Sequence, residues 1–317
     1  MNRKNTQAVL ILAPVMDYLM EKLAANYQVY KLFEMDDSAS FLARQGEEIV
    51  GIVTRGDIGV GNSVLERLPR LGIIAIFGVG TDAVDLDYAR QRGITVTITP
   101  GVLTDDVADM AMGLVLATSR RLCLGDGFVR AGKWLNGGMP LAAKVTGKKL
   151  GIFGMGKIGQ AIARRAAGFD MQIGYTDRQQ ITELPYTYLP DLPALAARSD
   201  ILIVAISGGK NSIGIINQEI FSVMPEHAIL INIARGTLVN EDDLISALQN
   251  KEIGGAGLDV FADEPNVPQA LIAMDNVVLQ PHVASATVET RIQMSDIVYE
   301  NIEAFFNGNA APTAVEY

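Results

Sequence analysis

Of the two histidines in the 317 residues, His227 sits in Met224-Pro225-Glu226-His227, a turn entering a strand, and reads as a solvated loop residue. His282 directly follows the apolar run Val277–Leu279, which places an imidazole at the carboxyl end of a strand, where open α/β sheets bind ligands. A capping or core histidine is the competing reading. Two other strand ends carry isolated charges: Arg235 follows Ile231-Asn232-Ile233-Ala234, and Glu264 follows Gly257 to Asp263, with Pro265 stiffening its turn. Each alone could be a surface residue. Together at one sheet edge, an imidazole, a carboxylate and a guanidinium can exchange a proton and hold an anion.

A second constellation binds rather than reacts. After the run Lys149–Phe153 comes Gly154-Met155-Gly156-Lys157-Ile158-Gly159, opening a helical stretch. The first glycine allows a tight turn, the second lets backbone approach a pyrophosphate, and the third lets helix pack on strand. Alone this pattern is weak, but a further strand, Met171–Tyr175, leads to Asp177 about 20 residues on, where an acid can accept both ribose hydroxyls. Asp177 favours NAD(H), whereas the adjacent Arg178 could pair with a 2′-phosphate and keeps NADP(H) open. No metal-ligand spacing stands out.

The elements that must position these groups follow from the pattern. Short β-branched runs (Ala8–Leu12, Ile49–Val53, Ile73–Phe77, Thr95–Ile98, Ile201–Ile206, Ala228–Ile233, Ala256–Val260 and those already named) alternate with helical stretches, as buried parallel strands do. The class is α/β with two open sheets. The length suits two domains, expected at 1–99 with 288–317 for substrate and 100–287 for the dinucleotide. Thr104 to Ala117 reads as a helix with acids in its first turn and almost no polar face, buried between domains or subunits.

Composition narrows the partners. A net charge of -10 repels nucleic acid, so an anionic substrate must rely on individual arginines and backbone donors. No apolar run approaches the ~20 residues of a membrane span. Arg3 and Lys4 precede an apolar run, but it is short and lacks a small-residue cleavage site, so it reads as a first strand. The single cysteine, Cys123, suits a reducing, cytoplasmic setting.

In this order, the segments Phe77-Gly78-Val79-Gly80-Thr81-Asp82, Gly154 to Gly159, Asn232 to Gly236, Gly257 to Pro265 and Pro281 to Ser285 resemble the D-isomer-specific 2-hydroxyacid dehydrogenases over nearly the whole chain. The stretch Thr99-Pro100-Gly101-Val102-Leu103-Thr104-Asp105-Asp106-Val107-Ala108-Asp109 is similar to the glyoxylate/hydroxypyruvate reductase branch. The resemblance implies two Rossmann-like or flavodoxin-like domains with the active site in the interdomain cleft. It implies that His282 is the general acid toward a keto oxygen, that Glu264 bonds its other ring nitrogen and keeps it protonated, and that Arg235 clamps the carboxylate. The amides of Val79 and Gly80 would hold that carboxylate too, and Arg55 and Gly56 would lie near the acyl substituent. Thr104 would touch a phosphate and Asp259 the nicotinamide carboxamide. Lys157, Ile158, Ser207, Ile233, Ala234, His282 and Ser285 would line the cofactor groove. Gly132 to Leu141, with Trp134 and Met139, would form an arm that embraces a second subunit of a homodimer; Met139 reaching the partner's active site is the alternative to an ordinary interface contact.

The expected reaction is therefore NAD(P)H-dependent reduction of a small, glyoxylate- or hydroxypyruvate-like 2-keto acid to its D-2-hydroxy acid. A larger substrate such as 2-ketogluconate or phenylpyruvate stays open, as does an NAD(H)-sensing, corepressor-like scaffold. Formate dehydrogenases share a similar strand end at Tyr175 to Arg178 but pair their histidine with glutamine, whereas Glu264 is charged. A phosphoglycerate dehydrogenase with an added regulatory domain is disfavoured because few residues follow His282.

Overall fold

The computed structural model describes residues 7–316, so Arg3 and Lys4 lie outside the described residues. The chain divides into two compact units, Met1–Leu103 with Ala286–Tyr317, and Thr104–Ser285.

In the first unit, five parallel strands form one sheet: β1 (Ala8–Ile11), β2 (Gln28–Lys31), β3 (Ile49–Arg55), β4 (Ile73–Phe77) and β5 (Thr95–Thr97), in the order β2-β1-β3-β4-β5. This is the flavodoxin-like order. Apart from β2, the strands are largely buried because helices cover the sheet, so apolar residues point both ways. The helix Val288–Phe306 belongs to this unit: Phe306 meets Tyr27 edge-on at 5.0 Å, and Phe305 occupies the space where a Cβ on Gly72 would stand. Because β3 and β4 pair Arg55 with Phe77, the turns after these strands leave the sheet side by side.

The second unit holds seven parallel strands, β6 (Lys149–Phe153), β7 (Gln172–Thr176), β8 (Thr187–Tyr188), β9 (Ile201–Val204), β10 (Ile229–Asn232), β11 (Gly255–Leu258) and β12 (Val277–Leu279). Their order, β12-β11-β10-β9-β6-β7-β8, reverses between β6 and β9. A crevice at such a reversal is where doubly wound sheets take ligands. The helix Thr104–Arg120 packs on β10, β11 and β12 and on the helix Lys157–Ala167. Small residues allow the approach: a Cβ on Gly257 would stand 2.8 Å from Thr118 Oγ1 and 3.2 Å from Leu114 Cβ. The helix shows solvent a narrow stripe that includes Asp105 and Asp109, both paired with Arg165.

Candidate active site

The glycine turn leaves β6 at the reversal of strand order. Gly154 has φ +102°, a conformation open to glycine, and a Cβ there would press on the Ala205–Ile206 backbone at 2.8 Å. A Cβ on Gly159 would lie 2.1 Å from Gly154 O, so the helix rests directly on the turn beneath it. Gly156 differs: nothing lies within 4 Å of its missing Cβ. As N-cap of the helix Lys157–Ala167 it offers no side-chain bond, whereas Asp191, Asn217 and Asn240 cap the helices that follow β8, β9 and β10. The first amides of that helix thus face open space and suit a phosphate.

Asp177, just past β7, closes the turn from the other side. Its Oδ2 accepts from the Met155 amide and its Oδ1 from the Arg178 amide, both at 2.7 Å. The carboxylate is thereby fixed beside the glycines with lone pairs left for ribose hydroxyls, and the Arg178 side chain is exposed. The residues present fit a dinucleotide. Thr104, Ile158 and Ser285 are half-buried, Ile233 and Ala234 buried, and Lys157 and Ser207 exposed.

The reactive groups are held by backbone packing across the same sheet edge. Asn232, buried at the end of β10, accepts from the Ala234 amide at 3.1 Å and donates to Arg235 O at 2.9 Å, shaping the turn that presents Arg235. The next residue, Gly236, touches the Phe261–Ala262 backbone so closely that any Cβ would overlap it. The Phe261 amide in turn donates to Glu264 Oε1 at 3.0 Å, leaving Oε2 to accept from His282 Nδ1 at 2.7 Å. A chain of contacts therefore joins the Arg235 turn, Glu264 and His282. Because Glu264 takes Nδ1, the other ring nitrogen is the one that can exchange a proton with a ligand.

His282 has φ +53°, a region that few non-glycine residues occupy, and Asp259 holds it there. The His282 amide donates to Asp259 O, and the Val283 and Ala284 amides donate to the two Asp259 carboxylate oxygens at 2.8 and 2.9 Å. Burial pushes the Asp259 carboxyl above its ordinary value, against the two amides and the nearby imidazole, which favour the charged form. Sequence reasoning had not found the anchoring by Asn232 and Asp259; the available signal was a polar residue ending or following a buried strand.

His227 donates from Nε2 to Asp200 at 2.6 Å and is largely exposed. In the first unit, Arg55, Gly56, Val79 and Gly80 come together at the ends of β3 and β4: a Cβ on Gly56 would stand 3.1 Å from Gly80 O.

A dinucleotide turn that shares its sheet edge with a histidine–carboxylate pair and an arginine defines a nicotinamide-dependent oxidoreductase, one equipped to move a proton alongside a hydride. The comparisons with known proteins make this specific. Residues 112–284 match the model of the D-isomer specific 2-hydroxyacid dehydrogenase NAD binding domain. The chain is 44% identical to a hydroxyphenylpyruvate reductase of Plectranthus scutellarioides and 43% identical to a 2-ketogluconate reductase of Gluconobacter oxydans, each over 97% of this chain and 98% of the relative. The crystal structure of an NADPH-dependent glyoxylate/hydroxypyruvate reductase from Sinorhizobium meliloti, with NADP and malonate, superposes with a TM-score of 0.91 at 39% identity, covering 98% of this chain and 97% of that one. The chain belongs to the D-isomer-specific 2-hydroxyacid dehydrogenases and is an NAD(P)-dependent enzyme of that family. Among the described residues, no helix is long and apolar enough to cross a membrane.

Proposed function

We propose that this enzyme reduces a small 2-keto acid of the glyoxylate or hydroxypyruvate kind to the D-2-hydroxy acid, with His282 as the proton donor. The observation that carries the reading is the 2.7 Å bond between His282 Nδ1 and Glu264 at the sheet edge of the glycine turn. A reduced nicotinamide, when bound, supplies the hydride to the carbonyl carbon. Glu264 orients the ring through Nδ1, and the other ring nitrogen protonates the oxygen as it gains charge. Arg235 holds the substrate carboxylate with a planar fork that a lysine lacks, and the amides of Val79 and Gly80 assist. Gly156 and the first turn of the helix Lys157–Ala167 take the pyrophosphate, Asp177 the ribose, and Thr104, Ser207, Ile233, Ala234, Asp259 and Ser285 line the remaining cofactor surface.

The enzyme works as a homodimer in a reducing, cytoplasmic setting. Support for pairing comes from Leu122, Val129, Trp134, Leu135 and Leu141, apolar side chains more than half exposed along one short stretch, and from the helix Leu122–Arg130, which buries none of its residues in its own unit. The function is tested by a panel of 2-keto acids assayed with NADH and with NADPH. Reduction of glyoxylate or hydroxypyruvate with either cofactor is expected, and a protein that binds NADH tightly but turns over no 2-keto acid contradicts it.

A further inference from the structure

The turn after β3 carries a side-chain pair that its own fold does not need. Its backbone is closed internally: the Ile58 and Gly59 amides donate to Arg55 O, Thr54 Oγ1 donates to Gly59 O at 2.6 Å, and the Val60 amide donates to Ala83 O. On this turn Arg55 grips Asp57 with both arms of its fork, Nε to Oδ1 at 3.0 Å and Nη2 to Oδ2. A partly exposed pair of this kind adds little stability. Its position is more informative. The turn meets the glycines after β4, where a Cβ on Gly56 would stand 3.1 Å from Gly80 O, and the nearby chain carries two exposed apolar side chains, Ile58 and Val79.

We infer that the Arg55–Asp57 pair selects 2-keto acids whose substituent carries a hydroxyl group, over those with alkyl, aryl or anionic substituents. This rests on the proposed 2-keto acid reduction with Val79 and Gly80 at the substrate carboxylate. The guanidinium keeps N–H donors beyond the two it spends on Asp57, and the carboxylate keeps lone pairs, so the pair offers a donor and an acceptor side by side with no net charge. A hydroxyl satisfies both, accepting from Arg55 and donating to Asp57, while its carbon chain lies against Ile58 and Val79. An aryl group would strip water from the pair and return no hydrogen bond. A second carboxylate would meet Asp57 at close range.

The test measures kcat/KM for hydroxypyruvate, pyruvate, oxaloacetate and phenylpyruvate in the parent enzyme and in Asp57→Ala, with glyoxylate as the substituent-free reference. Hydroxypyruvate and pyruvate differ by one hydroxyl, so their ratio reads the contact alone. The parent is expected to prefer hydroxypyruvate over pyruvate by about tenfold or more, as hydrogen bonds to charged groups provide. In Asp57→Ala that preference falls toward unity, and oxaloacetate gains about tenfold relative to pyruvate because Arg55 is released. A parent that favours pyruvate or phenylpyruvate over hydroxypyruvate overturns the inference without any variant. Ratios that stay within twofold in Asp57→Ala, with glyoxylate still reduced, overturn it and leave the reductase reading standing. A parent that reduces none of the panel removes both.

Discussion

The glycine turn permits a test in which two one-methyl changes, three residues apart, act on different quantities. A methyl on Gly159 would sit 2.1 Å from Gly154 O, a backbone atom that cannot swing aside, and 3.3 Å from Ile152 Cγ2. Overpacking of this kind costs about 1–3 kcal/mol, of which alanine's better helix propensity returns at most about 1 kcal/mol. At roughly 2–4 °C per kcal/mol for a unit of this size, Gly159→Ala should melt several degrees below the parent. A methyl on Gly156 meets nothing within 4 Å and the backbone there has φ -70°, so the free protein should melt within about a degree of the parent. That methyl instead enters the open space proposed for a pyrophosphate. At a cofactor concentration 100 times Kd, binding stabilises by about 2.7 kcal/mol, and a tenfold weaker Kd at the same concentration leaves about 1.4 kcal/mol. Scanning calorimetry with and without NADPH and NADH should therefore show the cofactor-induced rise in melting temperature cut to about half in Gly156→Ala. An undiminished rise in that variant, or a parent-like melting temperature in Gly159→Ala, refutes the division of labour among the glycines.

His282→Ala should lower kcat by about 10²-fold, in line with the loss of a general acid, and steady-state rates within a few-fold of the parent would remove that role. Asp177→Ala should move the ratio of kcat/KM values toward NADPH, because a charge that repels a 2′-phosphate is gone; an unchanged ratio contradicts the assignment. Replacing both Trp134 and Leu135 by Glu should convert the proposed dimer to monomer in light scattering, whereas a parent that is already monomeric sinks the pairing. The Lys22–Asp296 bond, 2.7 Å, sets a pH dependence in the first unit. The bond to Lys22 holds the Asp296 carboxyl below its ordinary 3.8, and the bond to Asp296 raises Lys22 above 10.5. A lowered acid stabilises above its unfolded value and loses that as pH falls, while a raised base stabilises below its unfolded value and loses it as pH rises. Lys22→Met should accordingly be less stable than the parent at pH 7, with the gap narrowing below pH 3.8 in urea titrations; a constant gap from pH 7 to 3 refutes the linkage.

Much of the fold is legible because burial on both faces leaves a signal that needs no partner to be read. The strands at the sheet centres, such as Ile201–Val204 and Ile229–Asn232, have every position buried and, apart from Asn232 at the end of the second, consist of β-branched and aliphatic residues. The two strands absent from the sequence reading, Gln28–Lys31 and Thr187–Tyr188, are both at sheet edges, partly exposed and short. One open side lets Gln, Lys and Tyr occupy positions that a central strand would give to Val or Ile. Their pattern then matches that of a loop.

The candidate site divides along the same physical line. Residues such as Arg235, Glu264 and His282 stand out in the chain because a lone charge or imidazole after an apolar run is locally conspicuous. The groups that hold them act through side chain–backbone bonds that leave no periodic trace. Asp259 lies far along the chain from His282, yet it accepts from the amides of the two residues after it, and its own carbonyl accepts the His282 amide. A buried carboxylate raised by desolvation costs stability, and a histidine at φ +53° adds strain. Both costs are met at one turn, and what they obtain there is an imidazole held with Nδ1 on Glu264. The placement of that ring is set by a network that can be read only after the chain has folded.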